Sequence, residues 1–346
     1  MKFIESVFEK LRRHPKRIVF PEGLEPRIMR AAAEFASLRL GTPILLGNRE
    51  QIEKIAATES ISLEHIGIVD PETSTDLAPF CERLEQLERY KRMGVTDSKR
   101  IMLNPNYFAA MMLQCGQADG LVGGASMYSS TLLRPLIQLI KPLPGIKTIS
   151  SATVMELPTK DFGEDGVFFL SDCGVVPEPS VDQLGIIAVE TGRLCRQLTN
   201  VRPRIAMLSF STRGSAKSAS TEKVIAATAL AKQRIQKESL EFEIDGEMQV
   251  DAALDPIIAQ RKVSGSFVAG RANVLIFPDL NTGNIASKLV HYLARAKTYG
   301  QVLLGLAKPA GEVSRGAEEE EILGVAAIIG LQAIEYRRLY PEGIAE

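Results

Sequence analysis

The stretch RIAMLSFSTRGSAKSASTEKVIAATALAKQR, residues 204–234, decides the fold class. It opens on an apolar run that reads as a short buried strand ending at Phe210. It then crosses a turn of small and hydroxyl-bearing residues and resumes near Thr221 with the spacing of a helix. A buried strand feeding a capped helix is half of a βα unit in a parallel sheet. Gly214 lets backbone approach a ligand, and hydroxyls beside a helix N-terminus can hold anionic oxygens, with Arg213 or Lys217 adding charge. The turn lacks the GxxxxGK[ST] spacing of a nucleotide loop, and an ordinary capped strand-to-helix turn accounts for the same residues.

Working outward, the pattern recurs. RIVFPEG (residues 17–23) and TPILLG (residues 42–47) read as strands, each followed by helical periodicity, with Asn48 and Gln51 as capping partners. Further strands are expected at Gly120–Gly123 and in TISSATVMEL, GVFFLSD, ANVLIFP and QVLLGLA. Short apolar runs between helices predict parallel sheet covered on both faces. Pro142 and Pro144 punctuate the middle of the chain, and Pro309 and Gly311 follow the last clear strand. The organisation expected is a first α/β domain from residues 1–148 and 307–346, with a second inserted over 149–306.

The 346 residues, 45% of them hydrophobic, suffice for two cores. With Lys plus Arg at 41 and Asp plus Glu at 42, charge gives no general reason to bind nucleic acid or an anionic membrane. The N-terminal MKFIESVFEKLRRHPKR reads as an amphipathic helix, not a secretory leader, and no long uncharged apolar run suggests a span. Cys81, Cys115, Cys173 and Cys195 are irregularly spaced, as reduced thiols of a cytoplasmic protein would be. His14, His65 and His291 make no metal-ligand pattern, so no metal is expected.

Three further places could carry chemistry. In PDLNTGNIASK, residues 278–288, Asp279 can orient amides of a tight loop before a helix, with Asn281, Gly283 and Asn284 in the loop and Lys288 beyond it. In GEVSRGAEEEE, residues 311–321, Ser314 offers a compact hydrogen bond, Arg315 a fixed fork for phosphate or an oxyanion, and Gly316 close backbone access. The acids Glu318–Glu321 are equally a helix-capping first turn. Arg134 interrupts an apolar helical pattern before Pro135, where it can clamp an anion, pair with a carboxylate or reach water. Cys173 beside Asp172 is either reactive or a buried structural thiol.

Taken in order, FPEG, NPNYFAAMM, ADGLVGG, RPLIQLIK, SDCGVVPEP, SFSTRGSAKS, DGEMQVDAAL, VAGRANVLIFPDLNTGNIASK and GLAKPAGEVSRG span nearly the whole chain. The sequence they make resembles the phosphate acetyl/butyryl transferase family, and in particular its acetyl-transferring members. That resemblance implies two open three-layer α/β/α domains with an active site in the cleft between them. It implies direct acyl transfer in a ternary complex, the coenzyme A thiol attacking an acyl phosphate. Coenzyme A or acetyl-CoA, acetyl phosphate and phosphate are then substrates, no tightly bound prosthetic group is needed, and a homodimer is expected. Ser314, Arg315 and Arg134 match residues assigned to catalysis. Ser211, Thr212, Arg213, Gly214, Ser215, Asn281, Gly283, Asn284 and Lys288 match ligand-site loops.

The chain departs from the family pattern in places. MYSST at Met127–Thr131 stands where an HST segment is usual, bringing Tyr128 near the site. ERYKRMG puts Tyr90 where an active-site arginine is expected, with Arg89 adjacent. Glu321 matches the usual catalytic aspartate and is the general base expected here, with Glu318, Glu319 and Glu320 competing. Cys173 matches a cysteine near the family site. Propanoyl or butyryl phosphate is the nearest alternative substrate, and a ligand-binding paralogue with weak turnover is the alternative of another class.

Overall fold

The computed structural model describes residues 3–87 and 97–339. The chain divides into two compact units, Met1–Pro144 with Leu306–Glu346, and Gly145–Gly305. Each is a sheet flanked by helices.

In the first unit five strands run parallel in the order β3-β2-β1-β4-β11, with β1 at Lys16–Phe20, β2 at Gly41–Leu46, β3 at Gly67–Val69, β4 at Gly120–Gly123 and β11 at Ala310–Glu312. The chain winds from β1 outward to β3, then crosses to β4 on the other side of β1. In open α/β sheets such a reversal leaves a crevice beyond the carboxyl ends of the strands, where ligands bind. The segments leaving β1, β4 and β11 are residues 21–25, 124–128 and 313–318, so the FPEG, ADGLVGG and SRG motifs converge by topology.

Helix α1 (Phe3–Arg13) is amphipathic as expected, burying Phe3, Ile4, Val7 and Leu11. The last helix, α13 (Glu319–Leu339), lies over β4 and β11 at short range because both strands present glycine to it. A Cβ on Gly120 would fall 2.5 Å from Ile329 Cγ2, and one on Gly311 would fall 2.7 Å from Val325 Cγ1. One more strand therefore follows Pro309, beyond the last run that the sequence marks clearly as a strand. Ala310–Glu312 pairs with Leu121–Gly123, and Gly311 is there for packing, in a strand too short for periodicity to mark.

The second unit orders its strands β10-β5-β6-β9-β7-β8, with β5 at Ser150–Glu156, β6 at Val167–Ser171, β7 at Arg204–Leu208, β8 at Glu243–Met248, β9 at Val274–Ile276 and β10 at Lys297–Leu304. Four strands, β6, β9, β7 and β8, are parallel, but β5 is antiparallel to both β6 and β10. The all-parallel expectation is corrected here: the connection between β5 and β6 holds no helix to carry the chain across the sheet, and such a link joins antiparallel neighbours. Strand β8 carries Glu243, Asp245 and Glu247 in alternation, which masked it as a strand in the sequence.

Two long helices start on reciprocal caps, α8 (Val181–Thr199) on Ser180 with Gln183 and α9 (Ala219–Lys237) on Ser218 with Thr221. Helix α12 spans Leu280–Ala294, capped by Asp279, whose carboxylate accepts from the Thr282 amide and hydroxyl at 2.9 Å. The NTGN run is thus the first turn of a helix and not a loop before one. Among the described residues no helix is long and apolar enough to cross a membrane.

Candidate functional site

In the first unit the site is assembled by two side chains outside the expected set. Glu22 lies two residues beyond β1 and is buried. Its Oε2 accepts from the amides of Gly124 at 2.6 Å and Ala125 at 3.0 Å, and its Oε1 from the Ser126 amide at 2.6 Å and hydroxyl at 2.7 Å. One carboxylate thus gathers the donors of the turn after β4. Gly124 is needed there, with φ at +111° and no room for a Cβ, which would lie 2.5 Å from Val313 O.

Arg27, at the start of α2 (Pro26–Ser37), ties the neighbouring turn to the same frame. Its Nη1 donates to the carbonyls of Arg315 and Ala317, each at 2.9 Å, and its Nη2 to the carbonyl of Ala125 at 2.8 Å. Glu25 holds the Nε at 2.9 Å. That bond pulls the Glu25 carboxyl below its ordinary value and raises the Arg27 guanidinium. Within the SRG turn, Ser314 Oγ accepts from the Gly316 amide at 3.2 Å. The main chain of Ser314–Ala317 is thereby fixed from two directions.

On that fixed turn the Arg315 side chain is exposed, its Cζ 4.9 Å from the centre of the Tyr128 ring. No carboxylate among the described residues pairs with Arg315, nor with the exposed Arg134 on α7 (Ser129–Leu139). Two guanidinium groups without a carboxylate partner among the described residues are suited to an anionic ligand. Of the four acids beyond the turn, Glu319 is engaged by Arg30 at 3.0 Å. Glu321 turns back, its Oε2 accepting from the Glu318 amide at 3.2 Å, so it also caps α13. Tyr90 and Arg89 lie outside the described residues.

In the second unit the 209–217 turn is likewise wrapped around a buried carboxylate. Glu247 Oε1 accepts from the Gly214 amide at 2.7 Å and the Ser211 hydroxyl at 3.0 Å. Ser211 and Thr212 are buried and face inward, Thr212 Oγ1 accepting from the Gln249 amide at 2.9 Å. Arg213, Gly214 and Ser215 form the exposed tip, where Arg213 and Gly214 take φ of +50° and +78°. Arg213 is held by Asp245 at 2.7 Å. A third carboxylate, Asp172, follows β6 and accepts from the amides of Gly174, Val175 and Val176 and the hydroxyl of Ser151.

Gly283 and Asn284 pack α12 against that Asp172 turn. A Cβ on Gly283 would sit 2.2 Å from Asp172 O, and Asn284 Nδ2 donates to Cys173 O at 3.2 Å. Asn281 and Lys288 are exposed on the same helix. Cys173 is fully buried, and burial pushes its thiol up to about 12, so it stays protonated and inert near neutrality. Glu22, Arg27, Glu247 and Asp172 escaped the sequence reading as site residues. The available signal was an acid one or two places beyond a strand, in FPEG and SDCG.

Comparison with known proteins bears on this arrangement. Residues 2–330 match the family described as Phosphate acetyl/butaryl transferase. A phosphate acetyltransferase of Acetivibrio thermocellus is 42% identical over 96% of this chain and 98% of its own length. One from Clostridium acetobutylicum is 41% identical over 96% and 99% respectively. The crystal structure of a phosphotransacetylase from Streptococcus pyogenes superposes with a TM-score of 0.85 at 34% identity, covering 96% of this chain and 99% of that one.

Glu312, at the end of β11, gives the first unit a measurable pH dependence. Burial raises its carboxyl above the ordinary value, the Ser129 hydroxyl works against the rise, and the nearby charge of Glu22 adds to it. A raised carboxyl pKa costs nothing where folded and unfolded chains are both protonated, and costs stability as pH rises through the folded value. Glu312→Gln should therefore match the parent below about pH 4 and gain on it progressively toward neutrality. Denaturant unfolding of both proteins across that range checks this; a constant difference at every pH contradicts it.

Proposed function

The chain belongs to the phosphate acetyl/butyryl transferase family, and on that premise we propose that it is a phosphate acetyltransferase, moving an acetyl group reversibly between acetyl phosphate and coenzyme A. The observation that carries the assignment is the SRG turn: Arg315 stands exposed, without a carboxylate partner among the described residues, on main chain held by Arg27 beyond parallel strand ends. Fixed cationic donors lower a barrier most when they need no rearrangement as charge develops.

In the forward direction the coenzyme A sulfur attacks the acetyl carbonyl carbon. The C–S bond forms, the bond from carbon to the bridging phosphate oxygen breaks, and phosphate leaves with that electron pair. Arg315 and Arg134 neutralise the phosphoryl and carbonyl oxygens, and the Ser314 hydroxyl donates to one of them. Glu321 is the base assigned to the thiol proton; its carboxylate lies one helical turn beyond the SRG segment. In the second unit the exposed tip Arg213–Ser215, with Asn281 and Lys288 on α12, is assigned to phosphate oxygens of the substrates. Coenzyme A is a substrate here and not a resident cofactor.

Cys81, Cys115, Cys173 and Cys195 are not in disulfides, in keeping with a reducing, cytoplasmic setting. Helix α12 carries an exposed apolar stripe of Ile285, Leu289, Tyr292 and Leu293, the last two 73% and 79% exposed, at helical spacing. We assign this stripe to a homodimer contact with a second copy of the chain. Light scattering should give twice the mass of 37.8 kDa for the parent and the single mass for Leu289→Glu with Leu293→Glu. A parent that stays monomeric at every concentration contradicts the assignment.

The activity itself is tested by coenzyme-A-dependent release of phosphate from acetyl, propanoyl and butyryl phosphates. The parent should turn over with acetyl phosphate preferred. Arg315→Ala should lose about 100-fold or more in kcat, with little change in thermal unfolding, because the side chain is exposed. Turnover undiminished in folded Arg315→Ala removes Arg315 from the reaction.

A further inference from the structure

We propose that Tyr128 is a positioning residue for Arg315: its ring face directs the guanidinium while leaving the N–H donors for the transferring group. The inference rests on the acyl-transfer reading above. Three features of the first unit carry it.

The first is geometric. The Arg315 main chain has little freedom, since Arg27 holds its carbonyl and that of Ala317, and Ser314 holds the Gly316 amide. What remains to be set is the direction of a long side chain. The Tyr128 ring, with Cζ 4.9 Å from its centre, is the recorded contact that sets it.

The second is the chemistry of the partner. A carboxylate beside Arg315 would occupy its forked donors and cancel its charge, both of which an incoming phosphate requires. An aromatic face attracts the cation through the ring quadrupole and does neither. Arg27 in the same unit shows the contrast, with its Nε occupied by Glu25 and its other nitrogens by three carbonyls.

The third is the position of Tyr128. It is the N-cap of α7, where Ser, Thr, Asp or Asn would satisfy a free amide, and it makes no side-chain cap hydrogen bond. The ring is 70% exposed, so it does not serve the core either. A residue that neither caps nor packs is explained by what it faces.

The test compares Tyr128→Leu, which keeps apolar bulk, with Tyr128→Phe, which keeps the ring face. In Tyr128→Leu, kcat should fall about tenfold, equivalent to about 1.4 kcal/mol, while KM for coenzyme A stays within about twofold. Tyr128→Phe should recover most of that loss. In an Arg315→Ala background Tyr128→Leu should have no further effect on kcat. Independently of turnover, the Arg315 Nε–H resonance, identified by its loss in Arg315→Lys, should carry a ring-current shift that disappears in Tyr128→Leu and persists in Tyr128→Phe. An unmoved resonance, or full loss from Tyr128→Leu on top of Arg315→Ala, overturns the proposal. A parent without acyl transfer but with the shifted resonance refutes the acyl-transfer reading, on which the catalytic part of the proposal falls while the contact stands.

Discussion

The carboxylate of Glu22 is the constraint on which the first unit's site depends. Three consecutive amides and a hydroxyl converge on its two oxygens in a buried setting. Removing such an acceptor leaves each buried donor short by roughly 1–3 kcal/mol, so the buried amides of Gly124 and Ala125 alone weigh noticeably against the roughly 5–15 kcal/mol that holds a typical domain folded. The turn after β4 is therefore no flexible loop. It is a rigid ledge on which Tyr128 and α7 are set, and to which Arg27 ties the SRG turn.

The second unit repeats the device with different residues. Glu247 gathers the Gly214 amide and the Ser211 hydroxyl, and Asp172 gathers three amides beyond β6. In each case an acid close to a strand end is consumed in shaping a turn. Buried carboxylates satisfied by amides are costly to place but stiff once placed, because the accepting oxygens have fixed partners. That stiffness suits chemistry in which donors must already stand where charge will develop. It also explains why Ser211 and Thr212, which look like ligand hydroxyls, are turned inward: they hold the shape whose tip is Arg213–Ser215.

Much of this was legible in the sequence, and the remainder was hidden for physical reasons. Apolar strands such as Arg204–Leu208 and the reciprocal cap at Ser218 follow from local periodicity and hydrogen bonding. Ala310–Glu312 does not, because a three-residue strand has no period and its glycine answers to a residue of the next helix, Val325. Strand β8 was hidden by its alternating acids, all three of which serve a turn or an ion pair. Among the residues proposed for the site, Arg315, Ser314 and Arg134 were visible as charged or hydroxyl groups beside glycine or in an apolar run. Glu22 and Arg27 were not, since most of their partners are main-chain atoms about 100 to nearly 300 residues away, which no local pattern encodes.

The SRG turn proposed for acetyl transfer has its main chain held in place by Arg27, which is the side chain through which to test it. Lysine at that position keeps the charge but cannot span three carbonyls from one planar fork. The decisive measurement is kcat for coenzyme-A-dependent acetyl transfer in Arg27→Lys beside the parent, with cooperative unfolding checked for both. Loosening the turn without touching Arg315 should lower kcat about tenfold or more in a folded protein. An Arg27→Lys protein that turns over as fast as an active parent would contradict the account.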